Sequence, residues 1–462
     1  MGLGLRLKWD RLNRYRSLQW APALSAGRSL RESTMSSSPV GKARRALGRM
    51  LRPLRDQAAG FRLQMDWDRL ATSIVARRIS GPVRRLVILP ADPHTLVGSR
   101  GDEAMMRAVI ARIASSAPDL RVAVLSASAG TAGYETLPVW REPWRLQNVR
   151  AALLEFDADT LLVVGADVLD GYYSPRLSMR MLAVADMAAH MGLRTRILGF
   201  SFNAAPSRRL RPMFDRLSPA LTINLRDPVS LARFNAFCRT PATLVADAAF
   251  MLAAEQESPR VAAVAAWVAQ RRAAGDRVIV FNLHPLLVRP ADPGKLQALV
   301  DSACVALASL MRLRGLSVVL LPHDDRGEIG DDVCLLPVYR RLRREFGACM
   351  HHPPEQMAAA ELKAAAGLMD GVVTGRMHLA IASLGMGVPV AAVTYQDKFH
   401  GLFAHFDLPA SLLLSAEDAV HPDRLLAMMT AFVDRLEPLA AQVRAALPGV
   451  MAASERNLDG LI

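Results

Sequence analysis

The clearest structural signal in the sequence is GVVTGRMHLAIASLGMGVPVAAV, residues 371–393. It begins with a short β-rich apolar run, continues with apolar residues at helical spacing, and returns through a Gly/Pro turn to a second apolar run. A strand, a helix and a strand in this order are typical of a parallel sheet, because parallel neighbours need a crossover connection. The stretch therefore predicts an α/β fold.

The same alternation starts near residue 83 and predicts two sheets. A polar interruption at 254–260 separates the two sets of strands. Before it, strands are expected at 83–89, 121–125, 160–164, 194–198, 221–225 and 243–245. After it, they are expected at 277–281, 316–321, 371–373 and 390–393. Intervening segments such as 103–114, 177–190 and 207–217 have helical composition. The pattern predicts two doubly wound, Rossmann-like domains that face each other across a cleft, with C-terminal helices at 422–436 and 439–452 bridging them.

The predicted domain boundaries follow these composition changes. We expect a poorly ordered basic extension at 1–80, an N-terminal Rossmann-like domain on the acceptor side at 81–255, a C-terminal Rossmann-like domain on the donor side at 256–415, and closing helices at 416–462.

Composition excludes several classes of protein. A 462-residue chain that is 51% hydrophobic is too apolar for a disordered protein and long enough for two or three domains. Its four cysteines are scattered without C-x-x-C spacing, which excludes a disulfide scaffold and indicates reduced thiols in a cytosolic protein. An aromatic share of 6% argues against recognition of single strands by stacking.

The net charge of +14 lies mainly in the N-terminal tail. Residues 1–62 contain fourteen Lys and Arg against three Asp and Glu, which leaves +3 for the other four hundred residues. The nearly neutral body predicts no nucleic-acid partner. Helical spacing of apolar residues in the tail, for example Trp9 and Leu12, is typical of an interfacial helix on an anionic membrane. A transit peptide and a poorly ordered extension are the alternative interpretations.

We expect a cytoplasmic protein, peripheral at the inner face of the membrane if the tail binds lipid. The nearest approach to a membrane span is 377–396, but Gly385, Gly387 and Pro389 interrupt it. The segment divides into a helix, a turn and a buried strand, so no span is predicted.

Residues with binding chemistry follow the predicted strand at 371–373. Ligands of open parallel sheets bind beyond the carboxyl ends of strands, at helix N-termini with unpaired amides. Gly375 permits a tight turn, Arg376 offers a planar fork to a carboxylate or phosphate, and His378 exchanges a proton near neutral pH. These residues predict an anion site; an exposed Arg and a core His are the alternative interpretation.

Arg226 follows the predicted strand at 221–225 in the same way. Asp227 is expected to cap the helix that begins at Pro228. Arg226 has no such structural duty, so it is predicted to bind the ligand.

Five more residues follow predicted strands and are candidates for acceptor or loop contacts: Gly101, Asp102, Gly165, Asp167 and His323. Asp102 can equally serve as the N-cap of the next helix. Asp167 and Asp170 could accept hydrogen bonds from sugar hydroxyls or bind a metal. No further metal ligands follow at suitable spacing, so no metal site is predicted.

The order of short motifs carries more information than any one of them. Along the chain stand G-D-E-A (101–104), G-A-D (165–167), R-D-P-V-S (226–230), A-D-A-A-F (246–250), L-P-H-D (321–324), G-R-M-H (375–378), G-V-P (387–389) and T-Y-Q-D-K (394–398). This order resembles the polysaccharide pyruvyl transferase family over roughly 86–406. The chain departs from the family pattern where Gly165-Ala-Asp replaces a run of glycines and where Ala248 replaces a proline.

The resemblance implies a GT-B-like arrangement of two domains and a transferase. Such an enzyme moves a pyruvyl group from phosphoenolpyruvate onto a saccharide as a ketal and releases phosphate; the acceptor can be free, lipid-linked or nucleotide-linked. The resemblance assigns the donor to Arg226, Gly375 and Arg376, with Lys398 as a further contributor, and catalysis to Arg376 and His378. His378 is expected to be the acid, kept protonated by neighbouring anions. No cofactor or metal is predicted, because arginines can carry the charge.

Two other functions fit the predicted architecture. A GT-B glycosyltransferase would use the same strand ends to hold a nucleotide sugar. A non-catalytic scaffold of a polysaccharide assembly complex, tethered by its basic tail, would leave Arg376 and His378 without a function.

Overall fold

In the computed structural model the described residues are 63–70, 72–95, 99–129, 133–288, 292–395 and 397–462. They form two parallel sheets with the helices packed around them. The predicted α/β architecture of two Rossmann-like domains is therefore confirmed.

The first sheet has seven parallel strands in the order β3-β2-β1-β4-β5-β6-β7. Its strands are β1 (Arg85–Leu89), β2 (Arg121–Leu125), β3 (Glu135–Leu137), β4 (Thr160–Val163), β5 (Arg194–Phe200), β6 (Leu221–Leu225) and β7 (Thr243–Leu244). Its helices are α1 (Arg100–Ala114), α2 (Leu146–Glu155), α3 (Pro175–His190), α4 (Arg211–Asp215) and α5 (Pro228–Phe237).

The second sheet has six parallel strands in the order β10-β9-β8-β11-β12-β13. Its strands are β8 (Arg277–Asn282), β9 (Leu316–Leu320), β10 (Met350–His351), β11 (Gly371–Thr374), β12 (Val390–Thr394) and β13 (Leu413–Ser415). The remaining helices are α6 (Pro259–Ala273), α7 (Pro293–Arg314), α8 (Asp332–Phe346), α9 (Ala359–Gly367), α10 (Met377–Leu384), α11 (Lys398–Ala404), α12 (Ala416–Ala419), α13 (Pro422–Val433) and α14 (Leu436–Glu455).

All ten predicted strands are present, with ends shifted by two residues or fewer. The sequence missed β3, β10 and β13, which have two or three residues each and lie at sheet edges. So short a run shows no period that distinguishes it from a loop.

Helix starts in the first domain follow local capping chemistry. The Ser99 hydroxyl accepts from the Asp102 amide, so Ser99 is the N-cap of α1 and the interpretation of Asp102 as the cap is wrong. The Asp227 carboxylate accepts from the Ser230 amide at 2.7 Å, which confirms Asp227 as the cap of α5.

The part of the predicted extension that the structure describes packs on the first domain. Residues 63–70 are helical, and Trp67 is buried with its indole nitrogen donating to Asp186 at 2.5 Å. The expectations for the basic tail at 1–62 lie outside the described residues.

The C-terminal helices bridge the domains as predicted. The start of α14 packs on the second sheet, where Leu436 leaves no room for a Cβ on Gly371. Just beyond its end, Asn457 accepts from the Gly199 amide at 2.7 Å and donates to the Ala246 carbonyl at 2.8 Å, both in the first domain. The chain therefore crosses between the domains twice, once through the segment before α6 and once through α14.

Helix α7 meets the length and composition of a membrane span, with 22 residues and a mean hydropathy of 1.4. Within the domain, 56% of that apolar window is buried, and residues such as Leu299 and Leu307 belong to the core. Core packing therefore accounts for its apolar composition.

Candidate functional site

The candidate site lies where the strand order of each sheet reverses. In the first sheet this point is between β1 and β4, and in the second it is between β8 and β11. Ligands of doubly wound sheets bind in the crevice beyond such points. Asp167 lies in the loop after β4, and Asp102 and His378 lie in the first turns of the helices that follow β1 and β11. Charged groups from both domains act on one another there.

His378 is the second residue of α10 and lies against the first domain. A Cβ added to Gly101 would come within 2.1 Å of the His378 Nδ1 atom, so only glycine allows this approach. The buried Nε2 atom has no hydrogen-bond partner among the described residues. The Asp247 carboxylate, at 3.8 Å from Nε2, is its acidic neighbour.

Arg226 extends from the end of β6 into the same cluster and is buried. Its guanidinium donates to the Ser201 hydroxyl at 2.7 Å, to Asp247 at 2.8 Å and to the Met377 sulfur at 3.1 Å. The expectation that Arg226 has no structural duty is therefore wrong, because it neutralises a buried carboxylate. Three bonds use three of its five N–H groups and leave donors for a further acceptor.

Asp247 is the site residue that sequence reasoning missed. Its carboxylate pairs with Arg226 from the first domain and faces His378 from the second, and its second oxygen accepts from the Ala249 amide at 2.9 Å. The A-D-A-A-F motif was the available signal, but the motif alone does not reveal two partners.

Arg376 holds a loop of its own domain. Its guanidinium pairs with Asp331 at 2.6 Å and Asp324 at 3.1 Å and donates to the Ile329 carbonyl at 3.0 Å. The sequence predicts that Arg376 binds an anion directly. In the structure two carboxylates already neutralise it, and it fixes the loop 324–331.

Lys398 begins α11 and reaches the first domain. Its ammonium lies 3.3 Å from Asp167. Burial acts to raise the pKa of Asp167, but Lys398 and Arg226 outweigh it and lower that pKa. Nearby, burial and the Asp167 charge raise the pKa of Asp102 to about 7. The two carboxyls therefore differ in protonation although they face one cleft.

The expectation that anions keep His378 protonated is wrong. Burial lowers the pKa of His378 to about 4; Asp247 raises it, but Arg226 and Lys398 lower it. The imidazole is therefore neutral near pH 7. His323, one of the acceptor or loop candidates, is also buried, and its pKa is lowered by burial and by His378 and Arg376.

The two remaining glycine candidates pack tightly beneath the cluster. A Cβ on Gly375 would lie 2.9 Å from the His284 ring, whose Nε2 atom is 3.0 Å from the Gly375 carbonyl. A Cβ on Gly165 would lie 2.6 Å from Phe200. Within the described residues no three His, Cys, Asp or Glu side chains are gathered as a metal ion requires.

The arrangement suits a small anion that meets a hydroxyl. Helix α10 begins without a side-chain cap, so its first-turn amides remain as donors. Arg226 supplies further donors, His378 supplies an imidazole, and Asp102 and Asp167 supply carboxyl groups.

Comparison with solved structures shows which class of fold surrounds this site. A Listeria monocytogenes protein described as a UDP-N-acetylglucosamine 2-epimerase superimposes with a TM-score of 0.51 at 14% identity, covering 82% of this chain and 95% of that one. The Neisseria meningitidis UDP-GlcNAc 2-epimerase, bound to UDP-GlcNAc, gives 0.50 at 12%, covering 81% and 98%. A Siraitia grosvenorii UGT transferase in complex with UDP gives the same four values. The fold is therefore of the GT-B type.

Sequence comparison narrows this class to one family. Residues 100–397 match the polysaccharide pyruvyl transferase family, and the chain belongs to it. No curated protein matches the chain.

Proposed function

We propose that the protein transfers the pyruvyl group of phosphoenolpyruvate to a sugar of a polysaccharide or its precursor, forming a ketal and releasing phosphate. One observation carries the proposal. Within the segment that matches the family, Arg226 of the first domain and His378 of the second meet at the buried carboxylate of Asp247.

Phosphoenolpyruvate presents a carboxylate and a phosphate on three carbons. Binding it requires several charge-assisted donors. The free N–H groups of Arg226, the first-turn amides of α10 and Lys398 can supply them. The Lys398 ammonium is the less tightly paired cation in this scheme, because its contact with Asp167 at 3.3 Å is longer than that of Arg226 with Asp247 at 2.8 Å. Arg376 acts as a positioning residue through the loop that it holds.

Bound phosphoenolpyruvate also supplies the negative charge that favours protonation of His378. An opposite charge within about 4–6 Å favours the protonated imidazole. The imidazolium then gives its proton to the methylene carbon of the enol, which becomes the methyl group. A sugar hydroxyl attacks C2, phosphate leaves, and a second hydroxyl closes the ketal. One hydroxyl proton returns to His378 and the other leaves with phosphate, so the reaction balances.

Asp102 is the group suited to take, as the hydroxyl attacks, the proton that afterwards restores His378. Its pKa of about 7 makes it half ionised at neutral pH, where a general base works best. It lies in the first domain, which was predicted to hold the acceptor. Because phosphoenolpyruvate is a metabolite of the cytoplasm, the proposal places the reaction there.

Calorimetry with phosphoenolpyruvate tests the donor. We expect binding with uptake of up to one proton, measured as a dependence of the binding heat on the ionisation enthalpy of the buffer. His378→Gln should bind phosphoenolpyruvate without this uptake and release no phosphate. Arg226→Lys keeps a cation for Asp247 but loses the planar fork, so binding should weaken by about a hundredfold. Arg341→Gln, an exposed surface change, is the matched control.

The transfer itself is followed with ¹³C-labelled phosphoenolpyruvate and a panel of glycans, by inorganic phosphate and by a new ketal methyl signal. If the wild type does not bind phosphoenolpyruvate but binds UDP-, GDP- or CDP-sugars, the proposal is contradicted and the glycosyltransferase is favoured. Binding neither class would favour the scaffold.

A further inference from the structure

A pocket lies between the two domains beside the reaction cluster. Its walls come from the loop after β4, the loop after β5 and the start of α5 in the first domain, and from the start of α11 in the second. The space between these walls is a shallow recess of about 370 Å³ that opens to solvent.

The inner end of the pocket shares residues with the cluster. Ser201 lines the pocket and accepts from Arg226 at 2.7 Å, while Lys398 and Asp167 line it and act on His378. A molecule in the pocket therefore presents its inner groups to the atoms proposed to handle phosphoenolpyruvate.

The outer end carries two adjacent aromatic side chains. Tyr172 is 50% exposed and Tyr173 is 39% exposed, and both rank among the exposed large apolar side chains of the described residues. Their rings meet edge to face, with centroids 5.1 Å apart, and Tyr173 lines the pocket. Exposed aromatic rings beside a pocket mark a binding surface. The C–H face of a pyranose packs on such a ring, while its hydroxyls remain available to polar groups.

The charge of the pocket selects against anions. Among the lining residues Asp167 pairs with Lys398 and Asp397 with Arg233. Asp170 and Asp227 are buried and accept from backbone amides, which leaves a formal balance of −2. A uronic acid or a sugar phosphate would be repelled. The hydroxyls of a neutral sugar can donate to carboxylates in charge-assisted hydrogen bonds.

We propose that this interdomain pocket is the acceptor subsite and that it takes a neutral pyranose, stacked on the Tyr173 ring that Tyr172 supports edge to face, with its hydroxyls directed inward to Asp167 and Ser201. The assignment rests on the proposed function but concerns a separate set of contacts, so it can be tested without any pyruvyl transfer.

Saturation-transfer NMR on the full chain measures sugar binding directly. The probes are methyl β-galactoside, methyl β-glucoside and methyl α-mannoside as neutral sugars and methyl β-glucuronide as the anionic one. We expect at least one neutral glycoside to bind more tightly than the glucuronide. The double variant Tyr172→Ala/Tyr173→Ala should raise the Kd about tenfold or more. Leu154→Ala removes an apolar side chain that is 42% exposed elsewhere in the first domain, and should change nothing.

The charge argument has its own variant. Asp397→Asn removes one carboxylate from an exposed pair with Arg233 and should narrow the preference for neutral sugars over the glucuronide. The proposal is overturned if no neutral glycoside binds the wild type, if the glucuronide binds best, or if the double tyrosine variant binds as the wild type does.

Calorimetry with phosphoenolpyruvate on the same variants separates the two proposals. The tyrosine variant should bind phosphoenolpyruvate as the wild type does. Normal donor binding without glycoside binding refutes the subsite alone. Glycoside binding that needs the tyrosines, without any donor binding, refutes the pyruvyl transfer and keeps the pocket as a sugar site.

Discussion

Asp247→Asn tests whether the ion pair at the centre of the site is as desolvated as the structure indicates. The Arg226–Asp247 pair has a 2.8 Å contact, and each side chain is only 2% exposed. Asparagine keeps the oxygen that caps the turn at Ala249, but it removes the charge and puts an NH2 donor where an oxygen accepted from Arg226. The variant therefore leaves the Arg226 guanidinium buried without a counter-ion.

The expected loss in the free energy of unfolding is about 3 kcal/mol. Breaking a buried pair on one side costs about 3–5 kcal/mol, and the retained amide oxygen places this case at the lower end. The matched control is Asp301→Asn, which breaks a 2.6 Å pair with Arg341 whose side chains are about half exposed. That change should cost about 1 kcal/mol or less.

Calorimetric melting of the full chain measures the difference. For a domain of about 150–250 residues, 1 kcal/mol shifts Tm by about 2–4 °C. Asp247→Asn should lower Tm by about 6–12 °C, against about 4 °C or less for Asp301→Asn. Replacing both partners, with Arg226→Met and Asp247→Leu, should recover most of the loss, because no buried charge remains. Equal melting of the two single variants would refute the argument.

Three further changes test neighbouring features. Burial raises the pKa of Asp102 from 3.8 to about 7, so the stability of the wild type should fall as pH rises through that interval. The urea midpoint of Asp102→Asn should equal that of the wild type at pH 4 and exceed it at pH 8. Burial lowers the pKa of Lys363 from 10.5 to about 8, so wild-type stability should rise by about 3 kcal/mol across that interval, and Lys363→Met should lose this rise in the same assay. Gly101→Ala should displace the His378 ring and lower turnover at least about tenfold, whereas Gly449→Ala, with nothing within 4 Å of the added Cβ, should not.

The sequence predicted the fold well because its two sheets are built from buried strands. Runs such as β8 and β12 are long enough for composition to identify them, and parallel topology follows from the helices between them. Of the edge strands of two or three residues, β7 was predicted, whereas β3, β10 and β13 were missed because so short a run carries little such signal.

The sequence predicted which positions form the site but not which side chains pair with one another there. Topology brings the ends of β1, β4, β6 and β11 to one cleft, so residues directly after them could be named from the sequence. Which charged groups neutralise one another could not be predicted from the sequence. Asp331 is 45 residues from Arg376, and Asp247 is 21 from Arg226. The protonation of His378 depends on the balance between burial and four charges from both domains.

The double connection between the domains sets the kind of motion the enzyme can make. A single linker would allow the domains to twist and separate freely. The chain passes from one domain to the other both before α6 and along α14, so the domains are tied at two places. We expect two such ties to favour rotation of one domain about the line through them over twisting or separation.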